Sequence, residues 1–97
     1  MYIVHLTYVA PLERVDELKS GHMAWLDEHY ATGVFLMSGR REPRTGGVII
    51  AAAVPRAELD AILAGDPFGQ AGVAEYEVVE FLPTTTAPGL EAYRVQA

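Results

Sequence analysis

The sequence predicts an α+β fold in which strands and helices follow one another as β-α-β-β-α-β. Four short runs are rich in β-branched and aromatic residues, which is typical of strands. Two other segments carry apolar residues at steps of three and four, which is typical of helices. Glycine and proline separate most of these runs. This order is the split arrangement of ferredoxin-like domains, whose sheet is antiparallel.

The first helix is predicted over residues 11–33, the longest amphipathic stretch of the chain. Pro11 suits a first turn, where its missing N–H costs no hydrogen bond, and Gly33 suits the position after the last turn. His22 is unusual here, because it is an ionisable ring within an otherwise apolar stripe. The stripe that we expect to face the core contains Leu12, Val15, Leu18, His22, Trp25 or Leu26, and His29.

Shorter patterns define the other elements. We predict strands over residues 2–9, 34–38, 48–54 and 76–82, and a second helix over 55–64. The polar loop 39–47 is short, so strands two and three should form a hairpin. Asp66-Pro67-Phe68 should end the second helix, because the residue before a proline is disfavoured in helical geometry.

The hydrophobic pattern of the sheet predicts a homodimer. The third strand is apolar on both faces, whereas two helices can cover only one face of the sheet. An antiparallel sheet with one wet face should alternate more cleanly. We therefore expect the second face to pack against another copy of the chain, giving a closed dimer. The tail 84–97 is a candidate to reach the partner.

Composition limits the classes of function. The 97 residues suit one domain, 1–97, and the absence of cysteine excludes disulfides and thiolate zinc sites. No basic-then-apolar leader is present, and no apolar run approaches the ~20 residues of a membrane span, which predicts a cytoplasmic protein without membrane contact. The formal net charge of −6 argues against nucleic acid, since phosphate contacts need a basic surface.

His22 and Asp66 are the candidate catalytic residues. Asp66 follows the second helix, where the helix dipole disfavours a carboxylate unless a cation or an imidazole N–H is its partner. A carboxylate bonded to one imidazole nitrogen fixes the tautomer and leaves the other nitrogen free as a base. In the competing interpretation, His22 is a core ring bonded to a carbonyl and Asp66 is a turn residue. The residue pattern leaves both open.

A metal site is not expected. His29 lies seven residues after His22, which puts the two backbones ~10.5 Å apart along a helix. A shared ion would need both nitrogens within ~2.1 Å of it. The glycines of the loop lack the spacing and the lysine of a phosphate-binding loop.

The loop that begins at Ser38 is the candidate substrate-binding segment. It holds three of the seven basic residues of an acidic chain. Arg40 or Arg41 could grip two oxygens of a phenolate or carboxylate at once. Alternatively, the loop is a solvated hairpin in which Glu42 offsets one arginine.

Taken together, these residues resemble the YciI-like (YCII-related) family over nearly the whole chain. The resemblance is carried by 22–26 (HMAWL), 35–39 (FLMSG), 46–50 (GGVII), 66–68 (DPF), Gly72 and the strand 76–81. It implies a ferredoxin-like dimer with an α+β barrel. It also implies an active-site pair of histidine and aspartate, which fall on His22 and Asp66.

The Ser38-Gly39-Arg40 run and the Arg-Thr-Gly-Gly turn at 44–47 are similar to one branch of that family. That branch includes proteins similar to a dehydrochlorinase of chlorinated hydroxyhydroquinones. The resemblance implies a cofactor-free acid–base enzyme, dehydrochlorinase- or isomerase-like, acting on a small phenolic or cyclic metabolite. Trp25 and Phe68 would wall the pocket, with Ser38 as a further hydrogen-bonding group. The alternative is a dimer that binds a metabolite without turnover.

Overall fold

The computed structural model describes residues 1–96 and contains a four-stranded antiparallel sheet. The strand order is β2-β3-β1-β4, and every neighbouring pair is antiparallel. This architecture confirms the predicted α+β class and is compatible with a ferredoxin-like fold. In chain order the elements are β1 Tyr2–Tyr8, α1 Leu12–Glu17, α2 Lys19–Ala31, β2 Phe35–Arg40, β3 Gly46–Ala51, α3 Arg56–Leu63, α4 Pro67–Gln70 and β4 Ala74–Glu80, followed by a 3₁₀ turn at Glu91–Tyr93.

The core lies between the helices and one face of the sheet. Alternate residues of β1 point into it, so Val4 is fully buried while its neighbour His5 is partly exposed. Helices close this side with one or two large side chains each. The helical residues of the core are Val15, Trp25, Leu26, Leu59, Leu63 and Phe68.

The predicted single helix over 11–33 is wrong, because the chain forms two helices that meet at Leu18. The Leu18 N–H donates to the Val15 carbonyl, three residues back, which tightens the turn locally and ends α1. Pro11 is the residue before α1 rather than part of its first turn. Gly33 does follow the last turn, and its φ of +81° is one that glycine adopts without strain.

Strand β3 begins two residues earlier than predicted. Gly46 and Gly47, which were expected in the loop, pair with Thr7 and Leu6 of β1. A Cβ on Gly46 would lie 1.8 Å from the Leu6 carbonyl oxygen, so only glycine lets β3 approach β1 here. The β2–β3 hairpin itself is confirmed. In the same way, β4 begins at residue 74 rather than 76.

The structure also contains a helix that was not predicted. The second predicted helix, α3, ends at Leu63, before Asp66-Pro67-Phe68 is reached. This run instead starts α4, with Asp66 as its N-cap and Pro67 in its first turn. Residues 84–96 are mostly exposed, and Ala97, the end of the predicted tail, lies outside the described residues. No helix within residues 1–96 is long and apolar enough to cross a membrane.

Candidate active site

A cleft of about 280 Å³ opens between α2 and the helix-covered face of β1, β3 and β2. Its apolar wall comes from both the helices and the sheet. These apolar residues are Leu6, Met23, Leu26, Val48, Ile49 and Phe68, and the polar lining comprises Tyr8, Lys19, His22, Ser38, Arg40 and Arg44.

His22 lines this cleft and also contacts buried residues of the core. Its Nδ1 lies 2.8 Å from Oδ1 of Asp66, a residue 44 positions later in the chain. The imidazole stacks on the Phe68 ring, with centroids 3.9 Å apart and an interplanar angle of 9°. Only 13% of the side chain is exposed. The ring is therefore held both by a hydrogen bond at its edge and by packing on its face.

Asp66 is fully buried and receives three donors. Its Oδ1 accepts from the Phe68 backbone N–H at 3.0 Å as well as from His22, and its Oδ2 accepts from the Tyr76 hydroxyl at 2.5 Å. A buried carboxylate is tolerated when donors replace the lost water. The bond to Phe68 is the N-cap bond of α4, so the Asp-Pro sequence itself sets the carboxylate in place.

Tyr76 is a site residue that sequence reasoning missed. It sits on β4 opposite Leu6, on the same face of the sheet as the core. Burial above all, and then the hydrogen bond to Asp66, raise the pKa of the Tyr76 phenol far above its usual value. A Cβ on Gly69 would lie 2.9 Å from the Tyr76 ring, so glycine at that position gives the ring room to reach Asp66. The alternating pattern of β4 indicates that Tyr76 lies on one face of the sheet. It does not indicate that Asp66 is the hydrogen-bond partner of Tyr76.

This arrangement is suited to proton transfer. With the carboxylate accepting from Nδ1–H, the His22 Nε2 carries the free lone pair, and it has no protein hydrogen-bond partner within residues 1–96. Asp66 would stabilise the imidazolium that forms when Nε2 takes up a proton. The geometry therefore provides a base with a fixed tautomer beside a small cleft.

The predicted binding residues divide into two groups. Ser38, Arg40 and Phe68 line the cleft, and the Ser38 hydroxyl shares a hydrogen bond with Tyr30. Trp25 does not line it. The indole packs behind His22 and donates Nε1–H to the carbonyl of Ile62 at 3.0 Å.

Arg41 also lies outside the cleft lining. Successive residues leave a strand on opposite sides, and Arg41 donates to the Thr7 hydroxyl at 3.0 Å. The cations that join Arg40 at the cleft are Lys19 and Arg44. Arg44 donates to Asp16 of α1 at 2.5 Å, a contact 28 residues apart that no local pattern could reveal.

The described residues show no metal-binding cluster. Within residues 1–96, no three His, Cys, Asp or Glu side chains lie close enough to hold an ion. His29 packs instead against aromatic rings, 5.6 Å from Trp25 and 5.3 Å from Phe35 between centroids.

Fold and site together define a ferredoxin-like α+β domain with a buried aspartate–histidine pair at a cleft. Residues 1–82 match the YCII-related domain, and the chain therefore belongs to the YCII-related family. A search of curated proteins found no match to it.

One similar solved structure is 5-chloro-2-hydroxyhydroquinone dehydrochlorinase (TftG) from Burkholderia phenoliruptrix AC1100, in complex with 2,5-dihydroxybenzoquinone. The two chains are 20% identical, with a TM-score of 0.70 over 84% of this chain and 93% of that one. At this identity the likeness shows the shared fold. It confirms, with the family match, the resemblance drawn from the sequence.

Proposed function

We propose that this protein is a cofactor-free acid–base enzyme that eliminates chloride from, or isomerises, a small phenolic or cyclic metabolite. The observation that carries the proposal is the 2.8 Å bond between His22 Nδ1 and the buried Asp66, which leaves Nε2 as a base at the cleft. The dehydrochlorinase activity of the structural neighbour agrees with this chemistry.

In the proposed step, His22 Nε2 takes the proton of a ring hydroxyl. The O–H electron pair forms a carbonyl, and the displaced ring electrons take up a proton at a ring carbon, which becomes tetrahedral. This shifts a double bond, and it is the whole reaction in the isomerase case. If that carbon carries chlorine, a second ring hydroxyl then loses its proton, its electron pair forms a second carbonyl, and chloride leaves with the C–Cl electrons, which is a net loss of HCl. Asp66 stabilises the imidazolium, and Arg40 or Arg44 stabilises negative charge on the ring oxygen.

The test is a screen of chlorinated hydroquinones with chloride release as the readout. For a substrate that is turned over, we expect His22→Ala to lower kcat by ~10²–10⁴-fold, the usual contribution of acid–base catalysis. His29→Ala is the matched control, because His29 is on the same helix and outside the cleft lining. Equal losses in both variants would contradict a catalytic His22.

A protein that binds such a metabolite without turnover is the second candidate. It is favoured by the role of the His22–Asp66 bond in joining α2 to the cap of α4, a purely structural task. If no phenolic substrate is turned over while His22→Ala weakens ligand binding, the binding function replaces the enzymatic one.

We also propose that the protein is a homodimer through the helix-free face of the sheet. On that face Met37 is 60% exposed and Val79 41% exposed, beside the partly exposed Ile3 and Ile50. Size-exclusion chromatography with light scattering should give a dimer mass for the parent and a monomer mass for Ile50→Glu. A parent that is monomeric at micromolar concentration would overturn this.

A further inference from the structure

The charge of the cleft differs from that of the whole chain. The chain has 13 acidic and 7 basic residues, yet Lys19, Arg40 and Arg44 line the cleft and no Asp or Glu within residues 1–96 does. Asp66 is hydrogen-bonded to His22 but is fully buried and is not part of the cleft lining. Both arginines are also ion-paired with carboxylates outside the cleft lining, but the charged side chains that face the opening itself are all cations, which favours a ligand that carries negative charge.

Arg44 is the better positioned of the two arginines in the cleft lining. It leaves the β2–β3 turn and bonds through Nη2 to Asp16 of α1, so that helix and hairpin both fix its side chain. Its side chain is 32% exposed, against 71% for Arg40, whose partner Glu42 is 79% exposed. The bond to Asp16 occupies one of five N–H donors, and the others remain able to bind two oxygens at once. A side chain held in place loses less entropy when it binds.

The volume of the cleft indicates how large a part of a ligand it can hold. A cavity of ~150 Å³ accommodates benzene, and typical ligand pockets begin at ~300 Å³. The 280 Å³ here suits one ring with several substituents. The apolar wall, which includes Phe68, suits the face of such a ring.

We infer that the substrates are monocyclic anions, in which a carboxylate or an acidic enol is bound by Arg44 while the ring lies beside His22. This inference rests on the proposed function, because only an enzyme has substrates. It adds that Arg44 determines which ligands the cleft accepts. Arg44 selects for charge, and His22 acts on the ring.

Calorimetric titration of the full chain with 2,5-dihydroxybenzoate and 2,5-dihydroxybenzamide isolates the charge, because the two differ by a carboxylate against an amide. We expect the acid to bind ~10-fold or more tightly, the range of a hydrogen bond to a charged group. Added salt should weaken binding of the acid and leave that of the amide unchanged. A third titration uses 2,5-dihydroxybenzoquinone, an acidic enol. Binding that added salt and Arg44→Gln both weaken supports the inference, and binding that neither changes contradicts it.

Arg44→Gln should remove the preference for the acid. The matched control is Arg56→Gln, which breaks a surface pair with Asp60 at 2.9 Å and is outside the cleft lining. Thermal unfolding of both variants checks that each is folded, and Arg44→Lys should restore only part of the preference, since lysine lacks the planar fork.

Equal affinity for acid and amide, no millimolar binding of either, or an unchanged preference in Arg44→Gln would overturn the inference. Its failure is separable from that of the proposed function. Chloride release from neutral hydroquinones without charge preference would leave the enzyme and remove the inference. Charge-selective binding without turnover of any compound would contradict the enzymatic function and leave the role of Arg44 in binding anions intact.

Discussion

The two sides of the cleft are built in opposite ways. On the helix side, His22 and Asp66 are held by hydrogen bonds inside the core, and Asp66 is fully buried. On the hairpin side, Arg40 and Arg44 are held by ion pairs at the surface. The comparison shows that the position of the base depends on packing, whereas the charge that would bind a ligand depends on exposed contacts.

This difference has energetic consequences. A hydrogen bond to a charged group contributes about 1.5–3 kcal/mol to stability, and leaving such a group buried without its donor costs as much or more. An exposed ion pair contributes about 0.2–1 kcal/mol and weakens in salt. Substitutions on the helix side should therefore affect both folding and activity, and those on the hairpin side should affect mainly binding.

The largest effect is expected for Asp66→Asn. The amide oxygen can still accept from the Phe68 N–H, so the cap of α4 and the fold should persist. The amide cannot stabilise a protonated His22, however, and kcat/KM should fall by about 10²–10⁴-fold. Steady-state kinetics on a substrate from the chloride screen measure this. Asp60→Asn, on the surface of α3, is the control that should behave like the parent.

Tyr76→Phe should have the next largest effect, mainly on stability. The change leaves Oδ2 of the buried Asp66 without its donor, and we expect the free energy of unfolding at pH 7 to drop by about 1–3 kcal/mol. Urea denaturation measures it, with Tyr93→Phe in the exposed 3₁₀ turn as the control. A Tyr76→Phe variant as stable as the parent would mean that the burial of Asp66 needs only two donors.

The same residue makes the parent sensitive to alkali. The pKa of Tyr76 is raised in the folded state, above the ~10 of an unfolded tyrosine. Its contribution is therefore complete below pH ~10 and is lost as pH rises further, because the unfolded chain releases the proton first. The stability of Tyr76→Phe should fall less steeply between pH 10 and 11 than that of the parent.

The smallest effect on stability is expected for Asp16→Asn. The hydrogen bond from Arg44 lowers the pKa of Asp16 in the folded state. The pair therefore stabilises the fold above the unfolded pKa of ~3.9 and loses this contribution as pH falls through the folded value. Thermal unfolding at pH 7, without added salt and in 1 M NaCl, should show a change in melting temperature near the limit of detection. The control is Glu17→Gln, which breaks another exposed ion pair and should give an equally small change. A loss as large as that of Tyr76→Phe would refute the contrast between the two sides.

Much of the fold was predictable from short-range patterns. Alternation defined the strands, and the steps of three and four defined most helical residues, because side-chain direction repeats every two residues in a strand and every 3.6 in a helix. The exceptions are positions where two local features of the sequence predict different structures. The helix breaks at Leu18 although the apolar stripe continues through this residue. Gly46 and Gly47 have loop composition but pair with β1, and at Gly46 a Cβ would collide with the Leu6 carbonyl.

The candidate site was predictable in part. His22 stood out as a polar member of an apolar stripe, and family resemblance paired it with Asp66. The Asp-Pro sequence that starts α4 is also visible in the sequence, although we interpreted it as the end of the preceding helix. Tyr76 and Arg44 were not identified, since their significance depends on partners 10 and 28 residues away.

The sequence by itself determined the order of the four strands, the segments between them that are helical, the family, and which residues are able to titrate or carry charge. Only the tertiary structure decided that Arg44 rather than Arg41 lines the cleft, that Trp25 packs behind His22, and that three donors meet on Asp66. The reason is physical. Periodicity fixes which face of its own element a side chain takes, whereas its neighbours across the core depend on how strands register and helices pack.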